Sequence, residues 1–188
     1  MIATIDKQPK RWTYEEYYKL EDDQRYEIID GQLIMIPTPG TLHQDWLGDL
    51  YSFVRAFVKK NKLGRVFFAP VDVVLDEENT VQPDLVFVAA KNARIIEPRA
   101  IFGSPDLLVE VVSPSSNRRD RAQKMKLYER FGVKEYWIGD AAKRSLEILV
   151  LKGDRYELRC SAKEKGKLSS LVLRGLKFDL AEMQDSEP

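Results

Sequence analysis

The sequence predicts an α/β fold, and three observations carry that prediction. Stretches 41–63 and 116–131 repeat apolar residues at helical spacing. Short runs rich in Val, Leu and Ile read as strands, and Gly, Pro and Asp signals punctuate them. Thr13-Tyr14-Glu15-Glu16 has the form of a capping box and opens a short helix through about Leu20. Residues 26–36 read as a hairpin with Asp30-Gly31 as a type I′ turn. Thr41-Leu42-His43-Gln44 reads as a second capping box. It opens a long helix whose stripe of Trp46, Leu47, Leu50, Phe53, Val54 and Phe57 runs to a Gly64 C-cap. Three strands are expected next, near 66–75, 81–88 and 107–113, the last closed by Pro114, which cannot donate a ladder hydrogen bond. Ser115 or Ser116 can cap the following helix, and Gly132 stops it. A strand returns at 135–138, a hairpin at 145–160 turns around 152–154, and the polar tail 181–188 is expected to fray.

Glu110 is the most informative residue. It lies among Leu107, Leu108, Val109, Val111 and Val112, in what reads as a core strand, where an ionised carboxylate is costly unless paired or bound to a metal. Asp84 repeats the pattern at the mouth of another apolar strand, in Gln82-Pro83-Asp84-Leu85-Val86-Phe87-Val88. Two such acids suggest one shared cation. The helix after Glu110 adds a counter-charge, because residues three, four and seven apart share a helix face. From Lys124 those positions are Leu127, Tyr128 and Phe131, whereas Arg119, Gln123, Lys126 and Arg130 form the opposite stripe. Lys124 is therefore the cation on the inward face and Lys126 the solvent lysine. A snorkelling lysine is the bland explanation for such a position.

The chain has 188 residues, 44% of them hydrophobic and 32% charged, which suits one domain spanning 1–188 with a core near 26–140. No apolar run approaches the ~20 residues that span a bilayer, and the amino terminus lacks a signal-peptide hydrophobic region, so a cytoplasmic location is expected. Cys160 is the only cysteine, which excludes an internal disulfide framework and a Cys-rich zinc site. The formal net charge is zero, so no global attraction to nucleic acid exists. A local basic patch does: Arg118, Arg119, Arg121, Lys124, Lys126 and Arg130 oppose only Asp120 and Glu129. Lys59, Lys60, Lys62 and Arg65 form a second group, but cations that close a helix complement its dipole without any ligand.

Helix, three strands, helix and strand, in that order, with Asp84 on the second strand and Glu110 on the third, resemble the PD-(D/E)XK nuclease superfamily. The resemblance is closer to its Uma-type branch of putative restriction endonucleases. It rests on Tyr26-Glu27-Ile28-Ile29-Asp30-Gly31, His43, Gln82-Pro83-Asp84, and Val109-Glu110-Val111-Val112-Ser113-Pro114-Ser115. It continues through Arg119-Asp120-Arg121 with Lys124 and Tyr128, to Gly132-Val133 with Glu135-Tyr136-Trp137. It implies a restriction-endonuclease-like mixed central sheet flanked by helices (an αβββαβ core), with added N-terminal and C-terminal hairpins. It further implies a metal site at Asp84, Glu110 and the backbone carbonyl of Val111. The superfamily's usual lysine, two residues beyond the second acid, is replaced here by Val112. The resemblance supplies Lys124 from the next helix instead, the residue that the helical count reaches independently.

These residue types fit phosphodiester hydrolysis. A hard cation neutralises a phosphate oxygen and acidifies water, and Mg2+, or Mn2+ in its place, prefers oxygen ligands. Lys124 would then hold or deprotonate the attacking water, or stabilise developing charge. Glu27, His43 and Asp72 are secondary candidates. Glu27 begins the hairpin, where an exposed acid is unremarkable, and the resemblance adds a role as extra ligand or orienter. His43, the only histidine, is by default a packing residue at a helix start, and the resemblance adds a place at the site's edge, contacting phosphate. Asp72, within Val71-Asp72-Val73-Val74, is expected to face the same cleft. Arg118, Arg119 and Arg121 are the candidate DNA contacts. The cluster of Trp12, Tyr14, Tyr17 and Tyr18 reads as helix packing against a sheet or a partner subunit. A homodimer is the expected assembly, since two copies cut two strands.

Two classes of function remain open at this stage: an Mg2+-dependent endonuclease acting on DNA, and a non-hydrolytic module that keeps the fold to bind nucleic acid or protein. An RNA- or junction-directed phosphodiesterase shares the chemistry of the first.

Overall fold

The computed structural model describes residues 10–22, 24–112 and 118–183. The strands are β1 (Tyr26–Ile29), β2 (Gln32–Met35), β3 (Gly64–Phe68), β4 (Val73–Asp76), β5 (Asn79–Val81), β6 (Leu85–Ala89), β7 (Ile101–Phe102), β8 (Leu107–Val112), β9 (Glu135–Asp140), β10 (Ser145–Lys152), β11 (Arg155–Lys163), β12 (Lys167–Ser169) and β13 (Lys177–Asp179). The helices are α1 (Tyr14–Tyr17), α2 (Thr41–Lys60) and α3 (Arg118–Arg130), with short 3-10 turns at Ala90–Ile95 and Leu180–Met183. A six-stranded sheet has the order β11-β10-β9-β8-β6-β3, and a five-stranded sheet the order β2-β1-β5-β4-β7. β12 and β13 pair separately. The large sheet is mixed: β8 and β9 run parallel, joined through α3, while β6 pairs antiparallel with both β3 and β8. No helix among the described residues is long and apolar enough to cross a membrane.

Alternation along β8 settles what each face meets. Leu107, Val109 and Val111 join Trp46, Leu47, Leu50, Val54 and Val58 of α2 in one core. Leu108, with Val86, Val88, Tyr136 and Ile138, joins Leu127 and Tyr128 of α3 and the small sheet in the other. Glu110 has the parity of Leu108 and therefore belongs to the α3 side of the sheet, whereas Asp84 stands just before β6. Gly139 of β9 permits the other layer to close, because a Cβ there would lie 2.4 Å from Cη2 of Trp46.

Several expected elements change. Residues 66–75 form two strands in two different sheets, broken at Pro70; residues 81–88 likewise divide at Pro83. Neither proline has an N–H for a ladder, so the chain leaves one sheet and enters the other. The small sheet arises from these breaks, and periodicity alone does not reveal it. The Thr13–Glu16 capping box forms, but α1 ends at Tyr17. The second capping box does not form: Gly40 is the N-cap of α2, no side chain caps it, and Thr41 is the first helical residue. α2 stops at an Asn61 cap, with Lys62 at φ 53°, and Gly64 already belongs to β3. Its glycine is needed for close approach, since a Cβ would sit 2.1 Å from the Val88 carbonyl oxygen. The Asp30-Gly31 turn has φ values of 50° and 75°, as type I′ requires. Leu180 and Met183 are buried, so the part of the tail through 183 is packed rather than frayed. Residues 113–117, including Pro114 and the capping candidates Ser115 and Ser116, lie outside the described residues. The α1 tyrosines pack within the chain, with Tyr14 edge-on to Phe102 at 5.6 Å.

A candidate metal and phosphodiester site

The interruption between β5 and β6 at Pro83 frees the start of β6, so Asp84 stands beyond the last rung shared with β8, Leu85–Val109. Its Oδ2 accepts a 2.6 Å hydrogen bond from the Val111 N–H, and Oδ1 lies 3.0 Å from Nε2 of His43 at the first turn of α2. A residue's N–H and C=O leave a strand on the same edge, so the Val111 carbonyl shares the edge that Asp84 occupies. The hydrogen bond to Asp84 raises the His43 pKa above its ordinary value, against the effect of burial.

Glu110 meets α3 as its parity requires. Its Oε1 accepts from Lys124 Nζ at 2.9 Å and from the Tyr128 hydroxyl at 2.6 Å. Lys124 also donates to Oε1 of Glu27 at 2.8 Å, so one ammonium bridges two carboxylates. The inward-face assignment is borne out in geometry: the Lys124 side chain is 16% exposed, whereas Lys126 lies in solvent. Burial pushes the Glu110 pKa up, opposed by Lys124 and reinforced by Glu27 and Asp84, to about 7. Burial acts against the charge of Lys124, but Glu110 and Glu27 outweigh it and leave the pKa raised. Burial, then the Glu110 charge, raises Tyr128 well above its ordinary value, so it stays a donor.

Glu27 departs from the exposed acid expected at a hairpin. It is 2% exposed, because β1 lies between β2 and β5, and its Oε1 also accepts from the Gln82 N–H at 2.9 Å. Asp72 does not line the cleft. It sits behind it, taking a 2.9 Å bond from Nε2 of Gln82 and a 3.5 Å bond from the Tyr17 hydroxyl. Arg121 pairs with Glu147 of β10 at 2.5 Å and is not among the cleft's lining residues. The Arg118 and Arg119 side chains lie outside what the structure describes. Arg25, Gln82 and Tyr128 were not among the expected site residues. Tyr128 carried a signal, since it stands four residues from Lys124 on the same helical face.

The cleft has a volume of about 280 Å3, and its lining includes Arg25, Glu27, His43, Asp84, Glu110 and Lys124. With all three carboxylates ionised, one lysine and one arginine leave it short of positive charge, a shortfall that a proton on Glu110 or an entering cation relieves. Among the described residues no three His, Cys, Asp or Glu side chains converge in ligating geometry. The donors on offer are Asp84, Glu110 and one main-chain carbonyl. That all-oxygen set fits Mg2+ or Mn2+, which retain several waters, and does not fit a nitrogen- or sulfur-rich zinc site. Other buried acids differ. Glu135 receives the Trp137 indole N–H, the Ser170 hydroxyl and two backbone N–H groups, so it is satisfied and structural.

Comparison with known proteins bears on the fold and the family. Five solved chains match. One is a crystal structure described as a putative nuclease belonging to DUF820 from Anabaena variabilis ATCC 29413. It is 18% identical, with 91% of this chain and 96% of that one covered at a TM-score of 0.74, which establishes a shared nuclease-like fold. The search of curated proteins found no match. The family model Uma2, described as "Putative restriction endonuclease", matches residues 14–181, and the chain therefore belongs to the Uma2 family.

Proposed function

We propose that the protein is a divalent-metal-dependent endonuclease that hydrolyses DNA phosphodiester bonds, with Asp84 and Glu110 as metal ligands and Lys124 as the catalytic cation. The observation that carries this reading is the convergence of Glu110, Glu27 and Lys124 beside Asp84 in one cleft. Asp84, Glu110 and the Val111 carbonyl would hold Mg2+, with Mn2+ able to replace it. When bound, the cation supplies Lewis acidity to a phosphoryl oxygen and acidifies water. Asp84 is oriented for this by the Val111 N–H and His43, and Glu110 by Tyr128, so the ligands need little rearrangement. Lys124, held charged by two carboxylates, acts as a donor that orients water or stabilises phosphoryl charge rather than as a proton acceptor. Glu27 positions Lys124. A homodimer would bring two such sites to two strands.

The test is cleavage of supercoiled plasmid and single-stranded DNA in Mg2+ or Mn2+, with EDTA and Lys124→Ala as controls. Metal-dependent nicking lost in the variant is expected. Folded protein that cuts neither substrate with either metal, and binds no cation at the two acids, would favour the non-hydrolytic module instead.

A further inference from the structure

Arg25 shares the cleft with Lys124, and among the described lining residues these two are the permanently charged cations. Lys124 is engaged by two carboxylates, whereas Arg25 is held by a neutral group. Its Nε donates to Oε1 of Gln82 at 2.9 Å. Gln82 is itself fixed: Nε2 donates to Oδ1 of the half-buried Asp72 at 2.9 Å and to the Tyr17 hydroxyl at 3.1 Å. The amide orientation has one consistent solution. Arg25 can only donate, so Oε1 faces the arginine and Nε2 is left to donate to Asp72 and the Tyr17 hydroxyl. The backbone N–H of the same Gln82 holds Glu27, and Pro83 and Asp84 follow directly. One buried residue therefore sets the positions of an arginine and a carboxylate on the same wall of the cleft.

Holding an arginine by Nε leaves the two terminal nitrogens of the planar fork as a pair of donors, the arrangement that binds a phosphate bidentately. The charge balance calls for such a donor. A divalent cation and Lys124 offset the three carboxylates, and a phosphodiester then brings a further negative charge that nothing else in the lining meets permanently. Building on the nuclease reading, we infer that Arg25 is a phosphate-binding residue, forming a subsite for a nucleic-acid phosphodiester beside the metal centre, and that Gln82 is its positioning residue.

The experiment measures binding of a fluorescent oligonucleotide, single-stranded and duplex, in Ca2+ buffer by anisotropy. It compares wild type, Arg25→Met, Arg25→Lys and Gln82→Glu, with Mn2+ calorimetry and thermal melting on each. Arg25→Met is expected to weaken oligonucleotide binding about 10- to 100-fold and to lower the salt slope by about one, while Mn2+ affinity changes less than about twofold. Arg25→Lys should recover only part, since it lacks the fork. Gln82→Glu keeps an acceptor for Arg25 but meets Asp72 with like charge, and should raise KM for cleavage with less effect on kcat. Oligonucleotide affinity unchanged in Arg25→Met, or no binding by folded wild-type protein, would overturn the subsite. Binding that depends on Arg25 in a protein that never cleaves would instead overturn the nuclease reading while leaving the subsite standing.

Discussion

Removing the charge of Glu110 should stabilise the protein in EDTA, and by an amount that depends on pH. The carboxyl is displaced from an ordinary 4.5 to about 7, because burial and the neighbouring Glu27 and Asp84 outweigh Lys124. At about 1.4 kcal/mol per pH unit, ionising it in the folded state costs roughly 3 kcal/mol. The sign follows from linkage: below the unfolded pKa both states are protonated and the cost is absent, it grows as pH rises toward about 7, and above that it is fully present. Glu110→Gln keeps an oxygen to accept from Lys124 and Tyr128 but cannot ionise. Its stability relative to wild type should therefore rise by roughly 3 kcal/mol between about pH 4.5 and about pH 8, worth roughly 10 °C in Tm for a chain of this size. Urea unfolding of both proteins across that range measures it. A stability difference that stays flat with pH would refute the claim that Glu110 is held in a charge-deficient pocket.

Other outcomes are equally specific. Apparent Mn2+ affinity, followed by calorimetry, should climb with pH until about 7 and then level off, since Glu110 must lose its proton to coordinate. Lys124→Ala should cut cleavage by on the order of a hundredfold or more while sparing metal binding, and Lys126→Ala should do little. Equal effects of the two lysine changes in a plasmid assay would contradict the face assignment. Gly139→Ala should destabilise by roughly 1–3 kcal/mol by pressing on Trp46, with partial rescue by Trp46→Leu in a double-mutant cycle.

Local rules made part of this site legible. Asp84 and Glu110 each interrupt a continuous apolar strand run, so their burial could be read along the chain, and the inward direction of Lys124 could be counted at helical spacing. The burial of Glu27 could not be counted. It depends on β1 pairing with β5 and on a hydrogen bond from Gln82, 55 positions away. Arg25 was silent for the same reason, being placed by a side chain 57 positions distant. Asp72 looked like a cleft residue because it is a carboxylate in an apolar run, Val71-Asp72-Val73-Val74. The chain leaves the large sheet at Pro70, and Asp72 falls behind the wall, bonded to Gln82 and Tyr17. Thr41 had the composition of an N-cap, yet Gly40 in extended geometry took that position and Thr41 became the first helical residue.

The most direct measurement is anomalous diffraction from crystals soaked in Mn2+. The account predicts one ion in the cleft, coordinated by Asp84, Glu110 and the Val111 carbonyl, with Lys124 beside it and the ion absent from Glu110→Gln crystals. An empty cleft at saturating Mn2+, or an ion bound elsewhere with Lys124 still bridging Glu27 and Glu110, would contradict it.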